Sequence, residues 1–297
     1  MPAEQAAPKI SVVISAYDAG TSLGRCLEGI RDSSYEGDFD VTVVDSTGDD
    51  TAAMVAERFP EAKLHVPPGR LFPGEARNLG FATSDGEIVL FVDAHCVPAA
   101  DLLDHVCRAH RAPTAAIGGV VENGDPRPMR WPYYFCNLAK WMPRPEAHEI
   151  GDLPSECLSI KRWAMDSYGP FLEGTYSSAT AFSWKLNEEG ERPWVDPSMR
   201  VARVDIPSFR ALLSFQPGHG RWFARVRAKE EGMTRAGRLA RAAIAPAVPF
   251  LMFARTARLV FRTRTYRTRF VVTAPLVLIG FCAWAYGEGR EYLSRPA

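Results

Sequence analysis

Residues 74–95 read GEARNLGFATSDGEIVLFVDAH, a helix-like segment followed by a turn and an apolar strand. Gly74–Thr83 predicts a helix, and the wholly apolar run Ile88–Val92 predicts a strand covered on both faces. The strand ends in a D-x-H pattern, and residues two apart point to the same side of an extended chain. Asp93 and His95 could therefore hold one divalent metal ion, although an isolated D-x-H is also typical of a solvated strand exit.

The residues before this stretch repeat the alternation of strand and helix. Strands are predicted at 10–16, 41–44 and 64–66, and helices at 21–31, with Thr21 or Ser22 as its cap, and at 52–59. Such alternation predicts a parallel sheet with helices on both faces, and ligands bind such sheets beyond the carboxyl ends of the strands. Asp45 follows one strand end as Asp93 follows another. Two acids in equivalent positions favour a functional site over ordinary solvent-exposed residues at the ends of strands.

The remaining residues divide the chain into three expected parts. A strand around 115–117 is expected to end in a Gly-Gly turn at 118–119, and residues 151–202 predict strand, helix, loop, helix and strand. We expect residues 1–8 to be disordered, 9–220 to form the α/β domain, and 221–297 to form a basic, membrane-associated helical tail.

Composition indicates a folded protein of a reducing compartment. The chain has 297 residues, of which 46% are hydrophobic and 11% aromatic, so a large core is expected and general disorder is excluded. It has six cysteines and no C-x-x-C pair, and Met1 to Pro8 lacks the apolar run of a signal peptide. The expected location is the cell membrane, with the α/β domain in the cytoplasm.

The net charge of zero conceals a strong asymmetry. Residues 1–202 hold 18 Lys and Arg against 30 Asp and Glu, whereas residues 203–269 hold 15 against 3. The basic segment lies beside apolar segments, so the expected partner is an anionic membrane surface and not a nucleic acid.

Two uncharged segments of the tail predict different membrane contacts. Ala242–Ala254 has basic flanks and is expected to lie at the interface as an amphipathic helix, with Arg262–Arg269 on the lipid headgroups. Phe270–Tyr286 is expected to insert deeply, although a helix of that length is slightly shorter than a hydrocarbon core of about 30 Å.

Four pieces of residues 9–202 occur in an order that resembles the family 2 glycosyltransferases. They are SVVISAYD, VTVVDSTGDDT, GEARNLGFATSDGEIVLFVDAH and LSIKRWAMDSYGPFLEG…AFSWKLNEEG. The tail resembles the membrane segments that close many bacterial members. This resemblance implies the GT-A nucleotide-diphospho-sugar fold, a nucleotide-sugar donor and transfer with inversion. The expected acceptor is a membrane lipid or a lipid-linked molecule.

The resemblance also implies roles for individual residues. Tyr17 offers an aromatic face or a phenolic hydrogen bond to a uracil-like base. Arg77 suits bidentate contacts with the base or the diphosphate, whereas Asn78 is expected to brace its helix and Arg70 to be a solvated surface residue. The expected nucleotide-binding residues are Ser15, Tyr17, Asp45, Arg77 and Asp93.

Asp93 and His95 occupy the place of the D-x-D pattern of the family, which holds Mg²⁺ or Mn²⁺ against the diphosphate. Imidazole suits the transition metals better than it suits Mg²⁺, so the histidine favours Mn²⁺. The ion would neutralise charge on the departing nucleoside diphosphate.

Two positions depart from the family pattern. Ala179 stands where the resemblance places a carboxylate base, and Arg203 stands where a histidine often helps to bind metal. Glu173 is the nearest acid, and a surface carboxylate on a loop is an equally good interpretation of it. A pseudoenzyme, an inactivated variant and a relocated base all remain open.

The segment Gln216–Trp222 resembles the F-x-x-G-x-G-R segment of non-processive members, in which His219 and Arg221 would close over the diphosphate together with Arg203. A basic loop near the membrane is the alternative. The function predicted is a membrane-attached, inverting glycosyltransferase. Its rivals are a catalytically impaired pseudo-glycosyltransferase that binds sugar nucleotide and, less well supported by the motifs, a nucleotidyltransferase on a related fold.

Overall fold

The structure is a computed structural model that describes residues 7–294. Residues 1–6 of the segment expected to be disordered lie outside the described residues. Pro8 is tied to the fold, because its carbonyl oxygen accepts a hydrogen bond of 2.9 Å from the hydroxyl of Tyr35.

Strands in residues 7–294 form one nine-stranded sheet. They are β1 (Ile10–Ala16), β2 (Phe39–Asp45), β3 (Lys63–His65), β4 (Ile88–Asp93), β5 (Cys96–Pro98), β6 (Ala116–Asn123), β7 (His148–Glu149), β8 (Cys157–Lys161) and β9 (Trp194–Arg203). The order is β3-β2-β1-β4-β8-β6-β9-β5, and β7 pairs with β9. The strands β3, β2, β1 and β4 run parallel to one another, and β8 then pairs antiparallel with β4. The α/β class is thereby confirmed.

The helices alternate with these strands and then dominate the C-terminal part. They are α1 (Gly20–Arg31), α2 (Thr51–Arg58), α3 (Pro73–Ala82), α4 (Leu102–Ala109), α5 (Trp131–Asn137), α6 (Arg162–Tyr168), α7 (Ser178–Glu188), α8 (Phe209–Glu230), α9 (Arg235–Ile244), α10 (Val248–Thr263) and α11 (Arg267–Leu293). The chain divides into a sheet unit of Met1–Glu122, Pro145–Gly174 and Ser178–Val204, and a helical unit of Asn123–Arg144, Thr175–Ser177 and Asp205–Ala297. The predicted domain boundary at residue 220 falls inside α8.

One core of the sheet unit supports the loops that follow β8. Phe91 of β4 meets Phe171 edge to face, with ring centroids 5.2 Å apart, and Phe171 contacts Phe182 of α7 at 4.9 Å. All three rings are buried. This packing fixes the start of α7 against the end of β4, because the interior is close-packed.

The expected turn at Gly118 and Gly119 is wrong, because both glycines lie inside β6. A Cβ at Gly118 would collide with the side chain of Pro154, and one at Gly119 would collide with Cys157 Sγ. Glycine serves here for close approach between segments and not for a turn.

Two further boundaries differ from expectation. The helix α1 begins at Gly20 without a side-chain cap, and Ser22 Oγ donates instead to the carbonyl of Ala19 at 2.9 Å. The segment Ala242–Ala254 is not one helix, because a 3-10 turn at Ala245–Ala247 separates α9 from α10. A proline at position 246 lies in that turn.

By length and composition, two segments of the described chain are long and apolar enough to cross a membrane, Arg235–Thr263 and Arg267–Leu293. The second contains the whole of the predicted segment Phe270–Tyr286.

Candidate functional site

The carboxyl ends of β1, β2 and β4 bring two predicted acids to one edge of the sheet. The central strand is β1, in which Ser15 pairs with Asp93 of β4 and Ala16 pairs with Asp45 of β2. Parallel neighbours in register end at the same edge, so both carboxylates lie where ligands bind open α/β sheets. Ser15, between them, is half-buried.

Asp45 has one carboxylate oxygen that no described residue satisfies. Its Oδ1 accepts hydrogen bonds from the backbone nitrogen of Thr47 at 3.0 Å and from Thr47 Oγ1 at 2.6 Å. Its Oδ2 is buried and has no hydrogen-bond partner within residues 7–294. A buried carboxylate oxygen without a donor is unfavourable. The atom is therefore suited to accept an N–H from a bound molecule.

The loop after β1 supplies an aromatic surface beside this edge. Tyr17 is 40% exposed, and the guanidinium carbon of Arg70 lies 3.9 Å from its ring centroid. Arg70 is exposed, as expected of a surface residue, and it also covers one face of the tyrosine. The backbone nitrogen of Asp18, whose φ is 52°, donates to Thr47 Oγ1 at 3.1 Å and ties this loop to the loop after β2.

Asp93 and His95 flank a turn and do not continue as an extended strand. Asp93 Oδ1 accepts from the backbone nitrogen of His95 at 2.8 Å. His95 Nδ1 lies 3.1 Å from Ser22 Oγ, whose hydrogen is donated to Ala19. Ser22 therefore accepts from Nδ1–H, and in the neutral ring Nε2 carries the lone pair.

Arg203 of β9 lies beside one half-buried carboxylate, that of Asp93, and one buried carboxylate, that of Glu156. Its Nη1 is 3.4 Å from Asp93 Oδ2 and 3.8 Å from Glu156 Oε1. Glu156, which precedes β8, is 6% exposed. Arg77 of α3 is also buried, and its Nη2 donates to the carbonyl of Ser155 at 3.2 Å. The cluster thus contains two acids and two arginines, and their formal charges cancel.

Burial and neighbouring charges have opposite effects on the pKa values of this cluster. Burial alone would raise the pKa of Asp93, but the positive charge of Arg203 and then the interactions with His95 outweigh it, and the pKa is lowered. Burial raises the pKa of Glu156, against the opposing charge of Arg203. Burial also lowers the pKa of Arg77, while Asp93 and then Glu156 oppose that change. Asp93 is therefore the acid of the pair that is more readily ionised.

Glu156 was missed by the sequence analysis. A single glutamate ahead of an apolar strand is an ordinary pattern, and only the antiparallel pairing of β8 with β4 brings it to Asp93. The backbone shows this directly, since the nitrogen of Asp93 donates to the carbonyl of Glu156 at 3.2 Å.

The residues expected to bind a metal fit one in their chemistry. Asp93 supplies a carboxylate of lowered pKa, and His95 supplies a nitrogen lone pair at Nε2. Within residues 7–294, however, no group of three or more His, Cys, Asp or Glu side chains is placed to hold a metal ion. Arg203 adds a fixed positive charge beside Asp93 Oδ2, which would weaken the affinity for a cation.

On the side expected to face the acceptor, the first turn of α7 carries no acid. Ala179 is buried, and the preceding Ser178 Oγ accepts from Arg77 Nη1 at 3.3 Å. Arg77 thus spans from the acid cluster to the start of α7. Position 179 presents only a methyl group, which cannot accept a proton.

Glu173 lies on an exposed loop of the sheet unit. Its Oε1 accepts from Asn78 Nδ2 at 3.2 Å. Asn78 also exchanges two hydrogen bonds with the backbone of Phe171, at 3.0 and 2.9 Å, so it braces α3 against this loop. Glu173 is exposed, and exposure is not what an effective general base usually has.

His219 and Arg221 belong to the helical unit. Both lie on α8, so the segment Gln216–Trp222 is helical and not a loop. The ring of His219 stacks on Tyr176, with centroids 5.9 Å apart, and Phe215 lies 5.2 Å away. Arg221 is exposed. Their expected contact with the diphosphate remains a prediction.

One protein family matches the part of the chain that contains most of the residues at this sheet edge. The family described as "Glycosyl transferase family 2" matches residues 11–158. The matched stretch includes Asp45, Arg77, Asp93 and Glu156, and it ends before α7 and β9. The two departures, at positions 179 and 203, therefore lie outside the match.

Individual proteins support the same comparison. The chain is 27% identical over 121 residues to glycosyltransferase AglE of Haloferax volcanii, a match that covers 39% of this chain and only 40% of that relative. The mannosyltransferase PcManGT of Pyrobaculum calidifontis, solved with GDP-Man and Mn²⁺, has a TM-score of 0.63 at 20% identity over 96% of this chain and 88% of that chain. TarS 1–349 of S. aureus, solved with UDP-GlcNAc, has a TM-score of 0.54 at 14% identity over 94% and 90%. At these identities, the two solved structures show the fold.

Proposed function

We propose that the chain, whose residues 11–158 match the family described as "Glycosyl transferase family 2", is a glycosyltransferase of that family and transfers a sugar from a nucleotide-diphospho-sugar to an acceptor hydroxyl. The observation that carries this proposal is the buried Oδ2 of Asp45, which has no partner within residues 7–294 and lies at the same sheet edge as Asp93. A base N–H would satisfy that oxygen, and the exposed face of Tyr17 would lie against the base.

The proposed reaction is displacement at the anomeric carbon with inversion. Arg77, anchored to Ser155 and next to Asp93, orients the diphosphate or the acids that face it. Asp93 and His95 would hold a divalent ion, whose charge, when bound, would offset that of the leaving nucleoside diphosphate. Fixed groups that stabilise a leaving anion act without reorganising during the reaction.

The acceptor proposed is a membrane lipid or a lipid-linked molecule, and the domain would face the cytoplasm. This rests on the two long apolar segments of the helical unit and on the excess of 15 basic over 3 acidic residues in residues 203–269. A membrane-bound acceptor would be concentrated beside an enzyme held on the same surface.

A pseudo-glycosyltransferase that binds sugar nucleotide is the second candidate. It is favoured by the buried alanine at position 179 and by the exposure of Glu173, the nearest acid in the sequence. A nucleotidyltransferase is the third, and release of pyrophosphate would identify it. Turnover with a sugar nucleotide separates the first two candidates.

Asp45→Asn is expected to weaken binding of the matching nucleoside diphosphate by about 10- to 100-fold. The amide places a donor where the ligand also donates, and an unmet buried hydrogen bond costs roughly 1–3 kcal/mol. Calorimetry with a panel of nucleoside diphosphates measures the change. Asp50→Asn is the control, because it removes the same charge from an exposed position of the same loop. Equal affinities of Asp45→Asn and the unmodified chain would remove Asp45 from the nucleotide site.

Nucleoside diphosphate is expected to bind more tightly with Mn²⁺ than with a chelator. His95→Leu should abolish that difference because it removes the nitrogen ligand, whereas His65→Leu on β3 should preserve it. Thermal-shift titrations with Mn²⁺, Mg²⁺ and chelator provide the measurement. If the affinity is the same in Mn²⁺ and in chelator, Asp93 and His95 do not hold a metal with the ligand.

A further inference from the structure

The helical unit exposes large apolar side chains along two helices. On α10 they are Phe250, Leu251 and Phe261, and on α11 they are Val271, Val272, Ile279, Tyr286 and Leu293. Those on α11 follow one another at intervals of one, seven, seven and seven residues, so they form one stripe along the helix. We call these five residues of α11 the apolar stripe.

The opposite face of α11 is covered by α8. The two helices approach so closely that a Cβ at Gly220 of α8 would collide with the carbonyl of Trp284. A Cβ at Gly287 of α11 would likewise collide with the carbonyl of Pro217. Further along, Gly280 lies against Leu212. The contact thus runs from the middle of α11 toward its end, and α11 is not a helix that stands alone.

The covered face is charged at its C-terminal end. Glu291 of α11 accepts two hydrogen bonds from Arg225 of α8, at 2.9 and 3.3 Å. Arg238 of α9 donates to the carbonyl of Glu291 at 2.9 Å, and Glu288 is buried nearby on the same helix. If α11 crossed a bilayer, α8, which packs against it from Gly280 to Gly287, would have to enter the hydrocarbon as well, and burying the polar and charged side chains of α8 there is costly.

The helix α10 is unsuited to crossing for a different reason. Arg255, Arg258 and Arg262 are all exposed and lie between the middle of the helix and its end. Phe250 and Phe261 are exposed on the neighbouring arc of the helix. Apolar and basic residues side by side on one exposed surface are typical of a helix that lies at an anionic interface.

We propose that neither α10 nor α11 crosses the membrane, and that both lie flat on an anionic bilayer. The apolar stripe enters the headgroup boundary, and the three arginines of α10 contact the lipid phosphates. This replaces the sequence-based expectation that Phe270–Tyr286 inserts deeply. It rests on the membrane attachment proposed above, and it specifies how that attachment is made.

Vesicle binding tests the surface. The full chain is expected to sediment with vesicles of phosphatidylcholine and phosphatidylglycerol, and much less with phosphatidylcholine alone. Arg255→Glu, Arg258→Glu and Arg262→Glu together should weaken binding about 100-fold or more, since each basic residue contributes near an anionic surface. The charge control is Arg192→Glu, an exposed arginine of the sheet unit.

The apolar part is tested by Val272→Glu with Ile279→Glu, which should also release the protein from vesicles. Val66→Glu is the matched control because Val66 is an exposed valine of the sheet unit. If the stripe variants bind vesicles normally and instead convert a dimer in solution to a monomer, the stripe is an interface between copies and the proposal is wrong.

Topology is tested with one added cysteine at a time in a background of Cys107→Ser, Cys136→Ser and Cys282→Ser, which leaves only buried native cysteines. Thr268→Cys and Ser294→Cys lie at opposite ends of α11, and both positions are exposed. In inside-out membrane vesicles from the expressing cells, an impermeant maleimide should label both. Labelling of only one of the two would show that α11 crosses. If the folded chain binds no vesicle, the proposed membrane-binding surface is wrong. Binding of nucleoside diphosphate by the same sample would show that the proposed donor site is unaffected by that result.

Discussion

Ala179→Asp is expected to raise the rate of sugar transfer by about 10²–10⁴-fold, the usual contribution of a positioned general base. The site otherwise contains groups suited to a donor, so the missing step would be removal of the acceptor proton. The measurement is release of nucleoside diphosphate with the acceptor present, at matched donor saturation. Donor affinity should be nearly unchanged, because the substitution adds a group on the side proposed to face the acceptor.

The control for added charge is Ala181→Asp, two residues later on α7 and partly exposed. It should leave the rate where it was. A different outcome would relocate the base. If the unmodified chain already turns over at an ordinary enzymatic rate and Glu173→Gln abolishes that turnover, the base is Glu173 and the pseudoenzyme alternative fails.

An Asp at position 179 would also enter a charged neighbourhood. The adjacent Ser178 accepts from Arg77, and Arg77 interacts with the acids of the cluster. A guanidinium nearby favours the ionised form of a carboxylate, whereas burial opposes it. The rate should therefore rise with pH and then level off as the new carboxylate ionises, which is a profile that Ala181→Asp would not create.

The sheet edge was predictable because few local rules determine it. An apolar run followed by an acid, repeated along the chain between helical segments, requires parallel strands that end together. The register of β1 against β2 and β4 brings Asp45 and Asp93 to that edge as expected. The function of each acid is a separate matter, and the binding experiments address it.

The errors of sequence interpretation share a cause, which is dependence on distant contacts. Gly118 and Gly119 have the composition of a turn, but contacts with Pro154 and Cys157 hold them inside a strand. Glu156 has no local pattern, and antiparallel pairing alone brings it to Asp93. Contacts between residues far apart in sequence are not encoded in a short window, so packing and not propensity decided these positions.

Arg203→Met is expected to destabilise the fold by about 3 kcal/mol at neutral pH, because removing one partner of a buried ion pair leaves the other charge uncompensated. Two carboxylates would lose their partner here, Asp93 at 3.4 Å and Glu156 at 3.8 Å. Urea denaturation measures the loss. Arg192→Met is the matched control, because Arg192 also lies 3.6 Å from a carboxylate, that of Glu149, but both side chains are exposed. It should cause little change.

The loss of stability in Arg203→Met should depend on pH, because Asp93 and Glu156 can be protonated. Arg203 lowers the pKa of Asp93, so this contribution to stability is present at neutral pH and is lost as the pH falls through the lowered pKa. In Arg203→Met the pKa of Asp93 loses this lowering and burial raises it, so the variant takes up a proton at a higher pH and its difference in stability from the unmodified chain should shrink as the pH falls from neutral toward 3.8, the ordinary pKa of an aspartate. A loss that is constant over this range would mean that the packing of the arginine stem, and not its charge, stabilises the cluster.

The same variant decides what Arg203 does for a ligand. If its guanidinium competes with a cation at Asp93, then Arg203→Met should bind nucleoside diphosphate with a stronger dependence on Mn²⁺ than the unmodified chain. If the guanidinium itself offsets the charge of the diphosphate, affinity in chelator should fall instead. The two roles thus predict opposite changes in one titration, because a fixed cation beside a carboxylate can either exclude a metal ion or take its place.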